Sequence, residues 1–379
     1  MTTEFGLTAF SRANSMPVPP VTLPTQWTIL VLGAFCLALG TYQLTRGFGR
    51  ATEVVLGLVV LMFVVAFLTW AARGKSFNVT GILKSTLLLA TPITLGAFSG
   101  VLSERAGVVN IAIEGMMLSS AFMSTLVGSV TGSLWIGLLG GISISMAMAA
   151  LHAVLSIKYR VDQIISGVVI NILATGLTSY MGSRFLEKYQ NLNNPGTFQP
   201  VAIPGLAQIP VIGPVLFENN VIVYLLFVLM FAIHFMLFYT RWGLRTRAVG
   251  EHPKAADTLG INVFMMRYVN VLLSGAVAGV GGAFFTIGSV GRFDEVMTAG
   301  KGYIGLAAMI FGKWTPFGAF GASLIFGFAD SLQTKLQVLN VPIPSEFLLM
   351  APYLVTIIAV AGVIGRAIPP AADGKAYEK

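Results

Sequence analysis

The sequence predicts an all-α membrane protein, a polytopic helical bundle of about ten transmembrane segments. Three observations predict it. Of 379 residues, 55% are hydrophobic and 10% charged, where an ordinary soluble domain carries about 25% charged residues. The mean hydropathy is +0.82, and the apolar residues fall into runs of about twenty, the length a helix needs to cross a bilayer. The cations sit at the ends of those runs, as loop Lys and Arg do in membrane proteins. The net charge of +8 therefore reflects topology. The cations form no stripe or basic tail, so a nucleic-acid partner is not expected. Cys36 stands alone, which leaves no disulfide framework and no thiolate metal cluster.

Residues 1–24 contain the Pro-rich "SMPVPPVTLP" and are expected to be a disordered tail. The runs 27–45 and 54–72 come next. The first is too long for a signal-peptide apolar region, so it is expected to stay as an anchor. Because "RGKSFN" separates this pair from the later apolar runs, residues 25–78 are expected to be an appended pair of helices. A core over 79–366 carries candidate spans at 79–100, 107–127, 133–157, 161–183, 220–240, 268–290, 303–334 and 347–365, with a C-terminal tail at 367–379. Region 303–334 is too long for one helix and should break at "GKWTPFG", where Pro316 removes a backbone donor. Glycines four apart (Gly96 with Gly100, Gly137 with Gly141, Gly275 with Gly279) predict close helix approach in lipid.

Arg241, Arg245, Arg247, Lys254 and Arg267 share one loop, and Lys158 and Arg160 another. Both are expected to be cytoplasmic. That makes 241–267 a cytoplasmic loop and puts the Pro-, Gly- and Asn-rich stretch 186–219 outside, as an ordered loop with a short surface helix or hairpin. Basic residues flank 54–72 on both sides, so the rule leaves that span unoriented.

Chemistry of the enzymatic kind is hard to build from this chain. There is no Walker A motif and no HExxH, and His152, His234 and His252 are far apart without Cys or carboxylate neighbours. Catalytic and metal-binding residues are accordingly none. Pairing Ser99 with His152 as an intramembrane protease needs no more than a chance Ser and His. "GAVAGVGGAFF" lacks GK[ST] and a preceding strand, so it reads as helix packing.

Three polar residues at membrane depth are candidates for a substrate pathway: Asn110, Glu114 and Asn171. Glu114 comes four residues after Asn110, on one face if the stretch is helical. A buried carboxylate marks a pathway, a partner or a cavity; the alternative is a helix end where Glu114 meets water or pairs with Arg105. Asn171 either lines a polar cavity or bonds a neighbouring helix. Asp330 is expected near a helix end. No chain of acids crosses the bilayer, which weakens an ion-coupled secondary transporter.

The polar island "RTRAVGEHPKAADTLGIN" (245–262) stands apart. Pro253 suits the first turn of a helix, "PKAADTLG" supplies about two turns, and Gly260 suits a left-handed stop. Ala255, Ala256 and Leu259 form a small-residue face at i, i+3, i+4 spacing. Two turns are marginal alone in water, so a packing partner is expected.

"VGEHPKAADTLGIN" resembles the cytoplasmic coupling segment of ABC importer permeases of the branched-chain amino acid, ribose and nucleoside group. "GVLSERAGVVNIAIEGMML" (100–118), "DQIISGVVINILATGLTSY" (162–180), "MTAGKGYIGLAAMIFGKWTPFGA" (297–319) and "VPIPSEFLLMAPYLVT" (341–356) are similar to that group as well. Within it the chain is closest to nucleoside-type permeases paired with a basic-membrane-protein-like lipoprotein, and the tail "DGKAY" (373–377) is similar to theirs. The resemblance covers about residues 80–379 and does not account for 1–78. It implies a type II ABC importer-like permease in the cell (plasma or inner) membrane. Such a permease is not an enzyme and holds no cofactor of its own, ATP being bound by separate ATPase subunits. It implies a second, homologous permease in a heterodimer, an external substrate-binding lipoprotein and a small-molecule substrate. Nucleosides come first, with simple sugars or branched-chain amino acids as alternatives. Gly250, Glu251, Pro253, Ala255, Ala256, Gly260 and Ile261 carry the match to the segment that couples to the ATPase.

Overall fold

Side-chain caps set where several helices begin. Asp162 accepts from the N–H groups of Ile164 and Ile165, Asn220 from Val223, Thr240 from Gly243 and Asn262 from Met265. Each satisfies donors that the first helical turn leaves open. The computed structural model describes residues 2–8, 18–341 and 367–379 together with 343–344, 346–347 and 350, and thirteen α-helices form among them. They are α1 (Thr25–Thr45), α2 (Thr52–Ala71), α3 (Val79–Glu104), α4 (Ile113–Thr131), α5 (Leu134–Ala153), α6 (Gln163–Met181), α7 (Ile212–Leu216), α8 (Val221–Tyr239), α9 (Arg241–Glu251), α10 (Pro253–Thr258), α11 (Val263–Phe285), α12 (Lys301–Phe311) and α13 (Pro316–Val338). Eight of the described helical segments are long and apolar enough to cross a membrane, and α12 is a shorter apolar helix. The span expected at 347–365 lies outside the described residues, apart from 347 and 350.

Two units divide the chain. The first comprises Met1–Thr86, Ala202–Glu218 and Phe328–Val363. Here the expected disordered tail gives way to structure at both ends. β1 (Thr2–Gly6) pairs antiparallel with β2 (Val21–Pro24) and parallel with β3 (Ser76–Asn78). The reason is alternation. Thr3 and Phe5 point inward; the Thr3 hydroxyl donates to Thr69 O at 2.9 Å and meets the Thr25 hydroxyl at 2.8 Å, while Phe5 packs edge-on to Phe77. The helix pair α1–α2 is also more than an appendage. Leu68, Ala71 and Ala72 pack with Phe328, Leu332, Leu336 and Leu339 of α13 and the turn after it. The 186–219 stretch contributes α7 and a hairpin closed by Ile203 N–H on Phe217 O at 2.9 Å.

The second unit comprises Leu87–Val201, Asn219–Gly327 and Ile364–Lys379. Its centre is the packing of α4, α5 and α11 around Met116, Met117, Ala149, Val271 and Ala278. Glycine makes this possible where sequence spacing places it. A Cβ on Gly279 would stand 2.7 Å from Ile142 Cα, and one on Gly275 would overlap the Ala149 side chain. Hydroxyls secure the close approach, with Ser120 donating to Gly279 O and Ser145 to Gly275 O, each at 2.6 Å. Region 303–334 breaks where Pro316 predicts, between α12 and α13.

α4 starts later than its apolar run suggests. Residues 105–112 are irregular and helix resumes at Ile113. Asn110 and Glu114 therefore do not share one helical face, which corrects the spacing argument. Apolar composition marks what can be buried, but it does not distinguish a helix from a buried extended segment.

Candidate functional site

The irregular segment 105–112 sits inside a helical unit, and non-helical backbone at membrane depth persists only where its polar groups are satisfied. Side chains supply that satisfaction. Ser103 donates to Val108 O at 2.6 Å, Val109 N–H donates to Gln163 Oε1 at 2.7 Å, and Asn171 Nδ2 donates to Ile111 O at 2.9 Å. His152 Nε2 lies 2.9 Å from Val109 O. Since a carbonyl can only accept, Nε2 carries the proton and Nδ1 accepts from Ser166 Oγ, 3.0 Å away. His152 is thus a positioned structural histidine. Ser99 bonds Ser274 at 2.8 Å, so the Ser–His pair of a protease does not form between Ser99 and His152.

The three pathway candidates fall in this same polar layer, all buried. Glu114 neither reaches water nor pairs with Arg105. Its Oε1 accepts from Thr298 Oγ1 at 2.6 Å and Gly300 N–H at 2.8 Å, and its Oε2 from Gly302 N–H at 2.7 Å. An acid on α4 thereby caps the N-terminus of α12, where open donors and the helix dipole both favour negative charge. A Cβ on Gly302 would stand 2.7 Å from Glu114 Cα, so the close approach requires glycine there. Asn171 Oδ1 accepts from Gly115 N–H at 2.8 Å, and its Nδ2 also donates to Tyr303 Oη at 2.9 Å. Asn110 Nδ2 donates to Ser274 Oγ at 2.9 Å, while its Oδ1 has no hydrogen-bond partner among the described residues. Asp330 lies within α13.

At the polar segment, α9 is the amphipathic helix and α10 the short one. Pro253 occupies the first turn of α10, and His252 Nδ1 caps it by accepting from Ala255 N–H at 3.2 Å. Gly260, at φ +81°, ends it. Gly260 N–H donates to Asp257 O at 2.9 Å and Ile261 N–H to Ala256 O at 3.1 Å, the paired bonds of a Schellman stop. The expected small-residue face is divided. Ala256 is 2% exposed and packs with Val249, Val263 and Met266, with Ile261 against them. Ala255 is exposed and Leu259 is 82% exposed.

This segment touches the irregular one directly. A Cβ on Gly250 would overlap the Arg105 carbonyl oxygen. Arg105 donates to Trp314 O at 3.0 Å and Lys313 O at 3.3 Å, in the α12–α13 turn. Burial lowers the Arg105 pKa and Arg247 lowers it further, against the opposite pull of Glu251. Trp314 Nε1 donates to Glu104 at 2.6 Å. Residues 241–262 therefore meet the foot of segment 105–112 at Gly250, and Arg105 ties that foot to the α12–α13 turn. The contacted segment contains Asn110 and runs into α4 just before Glu114.

Sequence reasoning missed the His252 cap, which the His-Pro step signals, and the satisfying roles of His152 and Gln163, which have no local signal.

Residues 82–361 match the family model described as branched-chain amino acid transport system / permease component. The guanosine ABC transporter permease protein NupQ of Bacillus subtilis (strain 168) is 44% identical over 307 residues, covering 79% of this chain and 96% of that protein. The nucleoside ABC transporter permease protein NupC of Lactococcus lactis subsp. cremoris (strain MG1363) is 42% identical over 308 residues, with the same two coverages of 79% and 96%. A second Bacillus subtilis protein, the guanosine ABC transporter permease protein NupP, is 27% identical over 270 residues, covering 69% of this chain and 74% of that one. With its membrane-spanning helices and a match of this extent, the chain belongs to the branched-chain amino acid transport system permease family, as a multi-pass membrane permease component.

Proposed function

We propose that this chain is one permease subunit of an ATP-driven importer that carries nucleosides into the cell. The observation that carries the reading is likeness along nearly the whole length, 96%, of a guanosine permease and a nucleoside permease. In this reading α10 docks on a separate ATPase subunit that binds and hydrolyses ATP. The 82% exposure of Leu259, at the tip of a segment flanked by Arg241, Arg245 and Lys254, supports it. An apolar side chain left bare among cations calls for a partner surface, and a six-residue helix needs packing that its own length does not supply. The arginines support a cytoplasmic position for this loop under the positive-inside rule. Movement of α10 on ATP binding is then transmitted as a rigid push into alternating access.

A second, unlike permease completes the pathway. Two Bacillus subtilis guanosine permeases matching this chain at 44% and 27% identity support pairing of related but non-identical chains. An external binding lipoprotein delivers the nucleoside. Asn110 fits the pathway best of the three buried polar residues, because its carboxamide oxygen is uncommitted among the described residues.

The test is uptake by the reconstituted assembly of permeases, ATPase and binding protein, offered labelled guanosine, adenosine, ribose and leucine. ATP-dependent uptake of nucleosides is the expected result. Uptake of ribose or leucine with no nucleoside uptake overturns the substrate class.

A further inference from the structure

Residues 371–379 lie along the polar segment and the first turn of α11, and the transport reading gives them no task. Ala372 N–H donates to Gly250 O at 2.9 Å, and Ala371 N–H donates to Glu251 Oε2 at 3.2 Å. Arg267, 1% exposed, donates through Nη1 to Lys375 O at 2.9 Å. The Tyr377 ring is buried with Val249, Ala256, Val263 and Met266 and meets the Phe264 ring at 5.3 Å between centroids. Lys379 Nζ lies 3.7 Å from the Asp257 carboxylate of α10. Glu378 closes a 2.7 Å ion pair with Arg160. The tail thus holds the chain before α10, α10 itself, and the start of α11.

A lever must be stiff to transmit a push. α10 has six residues, too few to hold itself straight, and it is joined to its neighbours at His252–Pro253 and at Gly260, two places where the chain turns. Of its residues, Ala256 is the buried one, and the surface that buries it is shared by Tyr377. From this geometry we infer that the tail is a strap that makes α9, α10 and the start of α11 one rigid lever, with Tyr377 its positioning residue. The inference rests on the reading that an ATPase pushes α10. The strap leaves Ala255 and Leu259 exposed, so it acts on transmission of the push and not on docking. Without Tyr377, α10 moves with the ATPase by swivelling about its two joints, ATP is spent, and the Gly250–Arg105 contact receives little displacement.

The experiment uses the complete importer in proteoliposomes and compares wild type, Tyr377→Ala, Tyr377→Phe and a chain stopped after Lys375. The truncation removes four residues and leaves every spanning helix intact. Three quantities are measured: ATPase subunit retained on purification, ATP hydrolysed, and labelled guanosine accumulated per ATP. With Tyr377→Ala and with the truncation, ATPase retention stays at the wild-type level while guanosine per ATP falls at least fivefold. Tyr377→Phe, which keeps the packed ring, retains more than half of the wild-type ratio. An unchanged ratio in the truncation overturns the strap. Parallel loss of ATPase retention and uptake also overturns it, because the tail then merely holds the docking face. Failure of the wild-type permease to retain any ATPase subunit overturns the transport reading itself, a result separate from both.

Discussion

Gly250 lies directly against Arg105, so close that a Cβ on the glycine would overlap the arginine's carbonyl oxygen. The contact joins the segment that ends α9 to the foot of the irregular segment 105–112. Gly250→Ala therefore forces the two apart, at a cost of about 1–3 kcal/mol for overpacking. Guanosine uptake by the assembled importer should fall at least tenfold, with the amount of membrane-inserted permease on a blot nearly unchanged.

Leu259 and Ala256 separate docking from folding. Leu259→Arg places a cation on a bare surface, so the permease keeps its thermal stability while ATPase co-purification falls to background. Ala256→Arg puts the charge into a site that is 2% exposed, and an uncompensated buried charge is costly. That variant should lose both ATPase retention and several degrees of Tm. If Leu259→Arg retains the ATPase fully, the docking surface lies elsewhere.

Glu114 is a helix cap, and its variants should behave as cap variants. Its carboxylate accepts three hydrogen bonds, and bonds to a charged group contribute about 1.5–3 kcal/mol each. Glu114→Gln leaves an amide N–H₂ facing backbone N–H or hydroxyl donors, so Tm should drop by several degrees and Glu114→Ala should drop it further. The KM for guanosine of the surviving Glu114→Gln importer should stay within twofold of wild type. A tenfold KM increase at unchanged stability would show substrate contact instead.

Asp373 should give docking of the tail a pH dependence. Burial pushes its carboxyl from 3.8 up to about 6, against the opposing pull of the Glu104 hydrogen bond, the Gly374 N–H and the Arg267 guanidinium. Burial disfavours the charged carboxylate, so docking of the tail takes a proton up. With the docked value above the free one, docking is most favourable below about pH 4, weakens as pH rises through about 6, and is weakest above that. Amide exchange of residues 371–379 should slow as pH is lowered from about 7.5 to about 5.5, after correction for the intrinsic exchange rate. Asp373→Asn should flatten that dependence and slow exchange at the upper end of the range.

Much of this was legible in the sequence because it is local. Pro253 and Gly260 delimit α10 by their own backbone preferences, glycine spacing marks the α5–α11 contact, and Pro316 marks the break after α12. The features that stay hidden are set by partners far along the chain. Glu114 reads as a lone acid until Thr298, Gly300 and Gly302 arrive from more than 180 residues away. The apolar run through 107–112 reads as helix, because the polar side chains that sustain its irregular backbone, His152, Gln163 and Asn171, sit on other elements. The spacing of Ala255, Ala256 and Leu259 gives a stripe but not its phase relative to α11 and the tail. In "TTEFG", two inward side chains are too few for the alternation to announce a strand.

In the proposed mechanism this permease moves substrate because a separate ATPase moves residues 241–262. Labelled guanosine uptake into proteoliposomes tests that link most directly. The purified chain alone under an imposed proton gradient is compared with the full assembly supplied with Mg-ATP, with and without Leu259→Arg. The lone chain should show no uptake, the assembly should take up guanosine with ATP, and Leu259→Arg should abolish that uptake. Proton-driven accumulation by the lone chain would contradict the mechanism.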